Sequence, residues 1–307
     1  MKRHEWQSEG NSPLVTITTP VYNNSKEITF AYASVLNQTY PRWEWIVVDD
    51  GSTDNVAELF GRNPDDRIQF VRRNENQGRS AARQVSLERS AGKYVCMLDA
   101  DDWMLSSRLE RQVEFLEGHP DHALVSSSMA IADVSGSLIG IRGCNSDGLS
   151  GTARTYAMNR LRAPEVAFAP SMFRKSEVGQ CRYDPQLLLG EDSHFLMAYL
   201  RGRKYASLSD PLYVYNEGIS ISLEKLLGRL RYGRLGLRES FLDQPGRAGA
   251  MYVESLVKSG VYTVLWRLGL KDLVLRKRTR LPTADEARCY AAEMEKVAKT
   301  AEQLKSV

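Results

Sequence analysis

No uninterrupted apolar run of about 18 residues, the length a helix needs to cross a bilayer, occurs anywhere in the 307-residue sequence. The opening MKRHEWQSEGNSP is polar and has no apolar core of the kind that builds a secretory signal. Both absences lead to the expectation of a cytoplasmic chain that is neither transmembrane nor exported by a standard signal. Cysteine is sparse: Cys96, Cys144, Cys181 and Cys289 are scattered with no C-x-x-C spacing. That pattern argues against a zinc site and fits a reducing compartment. The remaining composition, 42% hydrophobic and 26% charged, is that of a globular protein with one sizeable core plus an extension. A net charge of +3 hides an asymmetry, since residues 1–223 carry 24 lysines and arginines against 28 acids, and residues 224–307 carry 17 against 10.

What is present is organised around YVCMLDADDW, Tyr94 to Trp103. An apolar run that reads as a buried strand ends in Asp99, Asp101 and Asp102 with only Ala100 between them. Three carboxylates so close repel one another and resist desolvation, so they belong at a solvated edge or around a cation. Asp99 and Asp101 stand at i and i+2, which on an extended chain places both side chains on one face. A hard divalent ion held by few protein oxygens, with a diphosphate completing its shell, suits that arrangement. A solvated acidic turn ahead of a helix near Ser106 is the alternative.

The residues before it alternate between strand and helix patterns. Strands are expected at Leu14 to Thr19, stopping at Pro20, at Trp45 to Val48, at Ile68 to Val71 and at Tyr94 to Leu98. Helices are expected from about Ser25 to Leu36, near Val56 to Phe60, and from about Ser80 to Ser90. Near-continuous apolar strands separated by helices predict an α/β fold with a mostly parallel sheet. In such a sheet ligands bind outside the carboxyl ends of the strands. Pro20, Tyr22, Asp49, Asp50, Asp99 and Asp101 all fall there. Tyr22 can stack on a base, and Asp50 can accept the ring N–H of a uracil-like base, while Asp49-Asp50-Gly51-Ser52 equally suits a turn and helix N-cap. Arg79 and Arg83, four apart on the third helix, can reach phosphates or the sheet-edge carboxylates, or form a solvated face.

Beyond, Ser106 to Leu116 reads as an amphipathic helix, and Leu124 to Asp133 with Leu138 to Ile141 as strands. Residues 142–163 read as a loop, either a mobile lid or a surface excursion. Gly190-Glu191-Asp192 opens an apolar helix, where two acids also suit the helix dipole. Tyr205 to Leu208 and Leu212 to Tyr215 suggest two short strands.

TPVYN at Thr19 to Asn23, ASVLNQTYPRWEWIVVDDGSTD from Ala33 to Asp54, NQGRSAAR from Asn76 to Arg83 and YVCMLDADD from Tyr94 to Asp102 together resemble family 2 glycosyltransferases of the GT-A fold. The ordered motifs cover about the first third of the chain, and looser features extend the match to about Ser222. The resemblance implies a nucleotide-binding half at about 13–103 and an acceptor half at about 104–223, with a Rossmann-like sheet flanked by helices. It implies inverting transfer from a nucleoside-diphosphate sugar, with UDP as the preferred nucleotide. Asp50 would bind the base, Tyr22 and Pro20 would line its pocket, and Asp99 and Ala100 would meet the ribose region. Arg79 and Arg83 would serve the nucleotide, Asp101 would ligate Mn2+ or Mg2+, and Asp192 would be the base of a Glu191-Asp192 catalytic pair. Tyr213 to Asn216 through Gly218-Ile219-Ser220 is similar to the family's closing loop. The Q-x-x-R-W-type motif of processive members is missing, which implies addition of one or a few sugars in cell-surface polysaccharide or glycoconjugate synthesis.

Rival readings are weaker on the same residues. A sugar-phosphate nucleotidyltransferase needs a Gly-rich basic loop after the first strand, where Pro20-Val21-Tyr22-Asn23-Asn24 stands. An aspartyl phosphotransferase carries its D-x-D after the first strand instead of the fourth. A non-catalytic relative of the fold has no need for the acids that this chain retains. Residues 224–307 read as a mostly helical basic extension, with clusters at 229–234 and 270–281. That extension would either lie on the inner face of the cell membrane, where a lipid-linked acceptor is found, or pack on its own domain or a second copy. No nucleic-acid partner is expected, because no recognised nucleic-acid fold accompanies the basic runs.

Overall fold

The computed structural model describes residues 12–143, 152–157, 164–187, 190–216, 223–234, 245–270 and 279–306, apart from 225, 229, 232 and the side chain of 247. Its first third alternates β1 (Val15–Val21), α1 (Ile28–Leu36), β2 (Trp43–Asp49), α2 (Val56–Arg62), β3 (Ile68–Arg72), α3 (Arg79–Arg89) and β4 (Tyr94–Met97). These strands lie in the order β3-β2-β1-β4, all parallel. The chain winds outward from β1 to β3 and then returns across β1 to β4. The strand order therefore reverses between β1 and β4, and the crevice at their carboxyl ends is where such a sheet receives a ligand. Val15, Ile17, Val47, Val48 and Cys96 have no exposed surface. Helices cover both faces, which is why these strands read as continuous apolar runs instead of alternating ones.

The second part comprises β5 (Trp103–Met104), α4 (Arg108–Gly118), β6 (His122–Ala132), β7 (Leu138–Arg142), β8 (Ala153–Ala157), β9 (Met172–Arg174), α5 (Glu191–Tyr199) and β10 (Lys204–Asn216). Antiparallel β9 joins β4 to β6, β10 runs parallel to β6, and β5 pairs antiparallel with β10. With β7 on β6 and β8 on β10, the result is one ten-stranded, mostly parallel sheet.

Three local expectations are corrected. β1 does not stop at Pro20 but continues to Val21, with Pro20 in register opposite Val48. Thr18 O accepts from Leu98 N–H on the β4 side, and Pro20 faces that same side just past the last β1–β4 pair, Thr18 with Met97. The missing proline N–H therefore removes no ladder bond. The two strands expected at 205–215 are one strand, β10, whose register shifts around Pro211 absorb the irregularity that broke its pattern. The stretch 142–163 is not all loop, because β8 adds there to β10 as a polar, largely exposed edge strand without an apolar signature. Residues 144–151 and 158–163 of that lid candidate lie outside the described residues. Strands β5 and β9, two and three residues long, are too short to register as periodic patterns.

Two long helices follow, α6 (Pro245–Arg267) and α7 (Ala284–Ser306). α7 packs on α1 and sends Tyr290, Val297, Ala301 and Leu304 into the main core. The Tyr290 ring lies 5.6 Å from that of Trp103, and Glu293 Oε2 accepts from Ser106 N–H at 2.8 Å. The last helix thus props the segment that follows the acidic turn. Among the described residues no helix is long and apolar enough to cross a membrane. Arg276, Lys277 and Arg278 of the second basic cluster lie outside the described residues, as do Arg229 of the first and Gly218 to Ser220 of the closing loop.

Candidate functional site at the carboxyl ends of β1, β2 and β4

At the end of β1 the chain turns through Asn23, whose φ of 49° is the one positive value among the described non-glycine residues. Asparagine tolerates that region because its side chain bonds locally. Here Thr53 N–H donates to Asn23 Oδ1 at 2.8 Å, and Asn23 N–H donates to Ser52 Oγ at 2.9 Å. This locks the β1 and β2 ends together and leaves Tyr22 47% exposed beside them. Pro20 sits half-buried two residues earlier.

The two acids ending β2 divide their work. Asp49 is buried, accepts Ser52 N–H at 2.8 Å through Oδ1, and lies 3.7 Å from Arg72 Nε through Oδ2. Its role is to close the turn. Asp50, 3% exposed, reaches across to the loop before α3. Its Oδ1 accepts from Arg73 Nη1 at 2.9 Å and Gln77 N–H at 3.2 Å, and its Oδ2 from Gly78 N–H at 2.7 Å. A carboxylate has about four acceptor positions, so Oδ2 keeps one for an incoming N–H. Gly51 permits the approach: at φ 79° a Cβ there would stand 2.7 Å from the Glu75 carbonyl carbon.

The D-x-D segment corrects the extended reading. β4 ends at Met97, and Asp99 to Asp102 form a turn closed by Asp102 N–H donating to Asp99 O at 3.2 Å. Asp99 and Asp101 are therefore not set on one face by strand alternation. Asp102 turns inward to 1% exposure. There Tyr213 Oη donates to its Oδ2 at 2.7 Å and Asn216 N–H to its Oδ1 at 2.9 Å. Burial first, then the neighbouring Asp101 and Asp99, push the Asp102 carboxyl well above the usual carboxylate range. Tyr213 Oη also accepts from Asp99 N–H at 3.1 Å, and Asn216 Nδ2 donates to Asp101 O. The end of β10 thus holds the turn by its backbone and by Asp102, leaving Asp101 exposed. Ala100, 6% exposed, fills the space beneath.

Arg83 links this turn to the second acidic motif. Only 3% exposed, it donates from Nη2 to Asp99 Oδ1 at 3.0 Å, and its Nε stands 3.7 Å from Glu191 Oε1. The Phe168 ring lies 5.2 Å from its guanidinium carbon. Burial works against the Arg83 charge, but Asp99 and Glu191 outweigh it and raise its pKa. Arg79 Nη1 reaches 3.8 Å from the same Glu191 oxygen while its side chain stays 58% exposed. Of the three fates read for these arginines, both show contact with carboxylates, and Arg79 keeps a largely exposed side chain as well. Glu191 is 2% exposed, and burial raises its pKa against the pull of Arg83 and Arg79. Asp192, the next residue, is half-buried and accepts its neighbour Ser193 N–H at 2.6 Å in the first turn of α5.

Residues that sequence reasoning assigned no role complete the frame. Tyr213 and Asn216 were visible only as part of a looser motif. Arg108, fully buried, donates to Met97 O at 2.8 Å and Ala169 O at 3.0 Å, tying β4 to the segment that leads into β9. An arginine at a helix start reads as solvated, so nothing in the local sequence marks it. Arg83→Lys keeps the charge but replaces a planar fork by one ammonium, which cannot span Asp99 and Glu191 together. Losing one charge-assisted contact should lower stability by about 2 kcal/mol in urea unfolding. Unchanged stability would remove Arg83 as the link.

Among the described residues no three or more His, Cys, Asp or Glu side chains are grouped to hold a metal by themselves. A Mg2+ or Mn2+ ion bound through one or two carboxylates and a substrate diphosphate does not require such a group. The exposed hard oxygens of Asp101 fit that mode.

The sequence model of "Glycosyl transferase family 2" matches residues 16–173. TuaG of Bacillus subtilis, named provisionally as a teichuronic acid biosynthesis glycosyltransferase, is 43% identical over 106 residues, 34% of this chain and 42% of that protein. WfgD of Escherichia coli, a UDP-Glc:alpha-D-GlcNAc-diphosphoundecaprenol beta-1,3-glucosyltransferase, is 35% identical over 103 residues, 34% of this chain and 41% of that one. The chain spans about half the length, or less, of these relatives. Among solved structures, S. aureus TarS 1-349 in complex with UDP-GlcNAc superposes with a TM-score of 0.61 at 19% identity, covering 95% of this chain and 83% of that one. Mannosyltransferase PcManGT from Pyrobaculum calidifontis, in complex with GDP-Man and Mn2+, gives 0.58 at 16% identity, covering 96% and 88%. These two likenesses establish the fold, including its helical carboxyl-terminal region.

Proposed function

Because the chain belongs to glycosyl transferase family 2, we propose that it transfers a sugar from a UDP-sugar to a hydroxyl of a saccharide or lipid-linked acceptor, with inversion at the anomeric carbon. The observation that carries this reading is the convergence of Tyr22, Asp50 and the Asp99–Asp102 turn on the β1–β4 crevice, with Arg83 joining that turn to Glu191. Exposed Tyr22 offers the base a stacking face, and Asp50 Oδ2 accepts its ring N–H. Asp99 meets the ribose while Arg83 orients it, and exposed Arg79 serves the diphosphate. Asp101 holds Mn2+ or Mg2+, which when bound offsets the negative charge that gathers on the departing diphosphate.

Asp192 acts as general base. It takes the proton of the acceptor hydroxyl as that oxygen bonds to the anomeric carbon and the bond to the diphosphate breaks, the nucleoside diphosphate leaving with the electron pair. Attack from the face opposite the leaving group gives inversion. The two named relatives, one in teichuronic acid synthesis and one acting on a diphosphoundecaprenol acceptor, support a role in cell-surface polysaccharide or glycoconjugate synthesis.

Calorimetry with UDP, GDP, dTDP and CDP, each with and without Mn2+, tests the reading. UDP should bind with micromolar affinity and lose at least tenfold without the metal. Tighter binding of another diphosphate would change the donor, and binding of none would refute nucleotide-sugar transfer.

A further inference from the structure

α6 carries an apolar row that the described residues leave uncovered. Val253, Leu256, Val257, Val261, Val264 and Leu268, the last just past the helix, are each between 47% and 65% exposed. Val253, Val257, Val261, Val264 and Leu268 recur at steps of three and four with Leu256 beside them, so they share one face, and at 1.5 Å per residue the row is about 22 Å long. The other side of the helix is occupied: Ala248 is buried, and Arg234 Nη1 donates to Ser255 Oγ at 3.0 Å and to Ser259 Oγ at 3.1 Å. Single exposed valines and leucines need no explanation, but a contiguous row of this length on one helix does.

Charge says what meets it. Residues 224–283 contain 13 lysines and arginines against 5 acids, whereas residues 1–223 carry more acids than bases. A second copy would bring cationic tail against cationic tail. An anionic bilayer surface attracts the tail and repels the catalytic half, which fixes the orientation of approach. We propose that α6 docks the protein on an anionic phospholipid surface, its apolar row set at the boundary between headgroups and acyl chains. Only the purpose of that contact, access to a lipid-linked acceptor, rests on the function proposed above.

The full chain should co-sediment with vesicles of phosphatidylglycerol and phosphatidylcholine. It should bind pure phosphatidylcholine vesicles at least tenfold more weakly, and it should be released in about 1 M salt, where the Debye length is about 3 Å. Val257→Glu with Val261→Glu should weaken binding to the anionic vesicles at least tenfold at unchanged melting temperature. Val257→Ser with Val261→Ser, which removes apolar surface without adding charge, should act in the same direction. Full retention of either variant on the vesicles overturns the proposal, as does failure of the wild type to bind them. So does a concentration-dependent dimer that the same substitutions dissociate, which would assign the face to a second copy. Vesicle binding is read without donor or acceptor, so failure of sugar transfer leaves this result standing.

Discussion

Asp101→Ala should lower metal-dependent sugar transfer by at least about 10²- to 10³-fold, the usual cost of removing a group that stabilises charge developing in the transition state. The same change should erase the dependence of UDP binding on Mn2+. The fold should survive, because contacts that alanine keeps hold the turn. It is closed by Asp102 N–H on Asp99 O, anchored by the Asp102 side chain on Tyr213 and Asn216, and tied by Asn216 Nδ2 to the carbonyl of residue 101, which alanine keeps. Substitution of an exposed side chain ordinarily shifts stability by no more than about 0.5 kcal/mol. Transfer at the wild-type rate with Mn2+ present would show that Asp101 does not hold the ion. A melting temperature that falls with activity would make the loss structural and move the assignment to Asp99.

Why the turn behaves this way bears on what could be read beforehand. Three carboxylates in four residues were expected to stay solvated or to surround a cation, because none should tolerate burial. One of them is buried nonetheless. Asp102 is stabilised by donors from residues 213 and 216, more than a hundred positions away, while burial raises its pKa. Pairing at that separation leaves no trace in a local pattern. The strand residues Val15, Ile17, Val47 and Val48 were legible because burial on both faces demands apolar side chains whatever the partner. β8 was not legible, since an edge strand with an exposed polar face imposes no such demand.

The same contrast runs through the site. Tyr22, Asp50, Asp99 and Asp101 could be placed together because a parallel sheet gathers its strand ends, which is a rule of topology. The extended alternation expected to set Asp99 and Asp101 on one face fails, because the chain turns there. Arg83 was ambiguous between phosphate, carboxylate and solvent. Its outcome depends on α5 approaching α3, and the helix carrying Glu191 lies about a hundred residues downstream. The tail divides similarly: α7 sends Tyr290 and Val297 into the main core, whereas the described residues leave the row on α6 uncovered.

Asp192→Asn should reduce kcat by roughly 10²- to 10⁴-fold, the range for loss of a positioned general base. Affinity for UDP should remain within about twofold. Two adjacent acids in the first turn of α5 differ in their surroundings. Glu191 is 2% exposed with its Oε1 between buried Arg83 and exposed Arg79, so its carboxylate balances those cations. Asp192 is half-buried, and its Oδ1 accepts only the N–H of the next residue among the hydrogen bonds described for its side chain. Of the pair it is the more accessible. The helix dipole favours negative charge at that position, yet a dipole contribution of about 0.3–1 kcal/mol at an exposed site predicts only a small stability change for the amide and no effect on turnover. A large loss of kcat at unchanged UDP affinity and melting temperature therefore separates catalysis from helix stabilisation. Weakened UDP binding with turnover intact would instead make Asp192 a donor-site residue, and the base would have to be sought on another element.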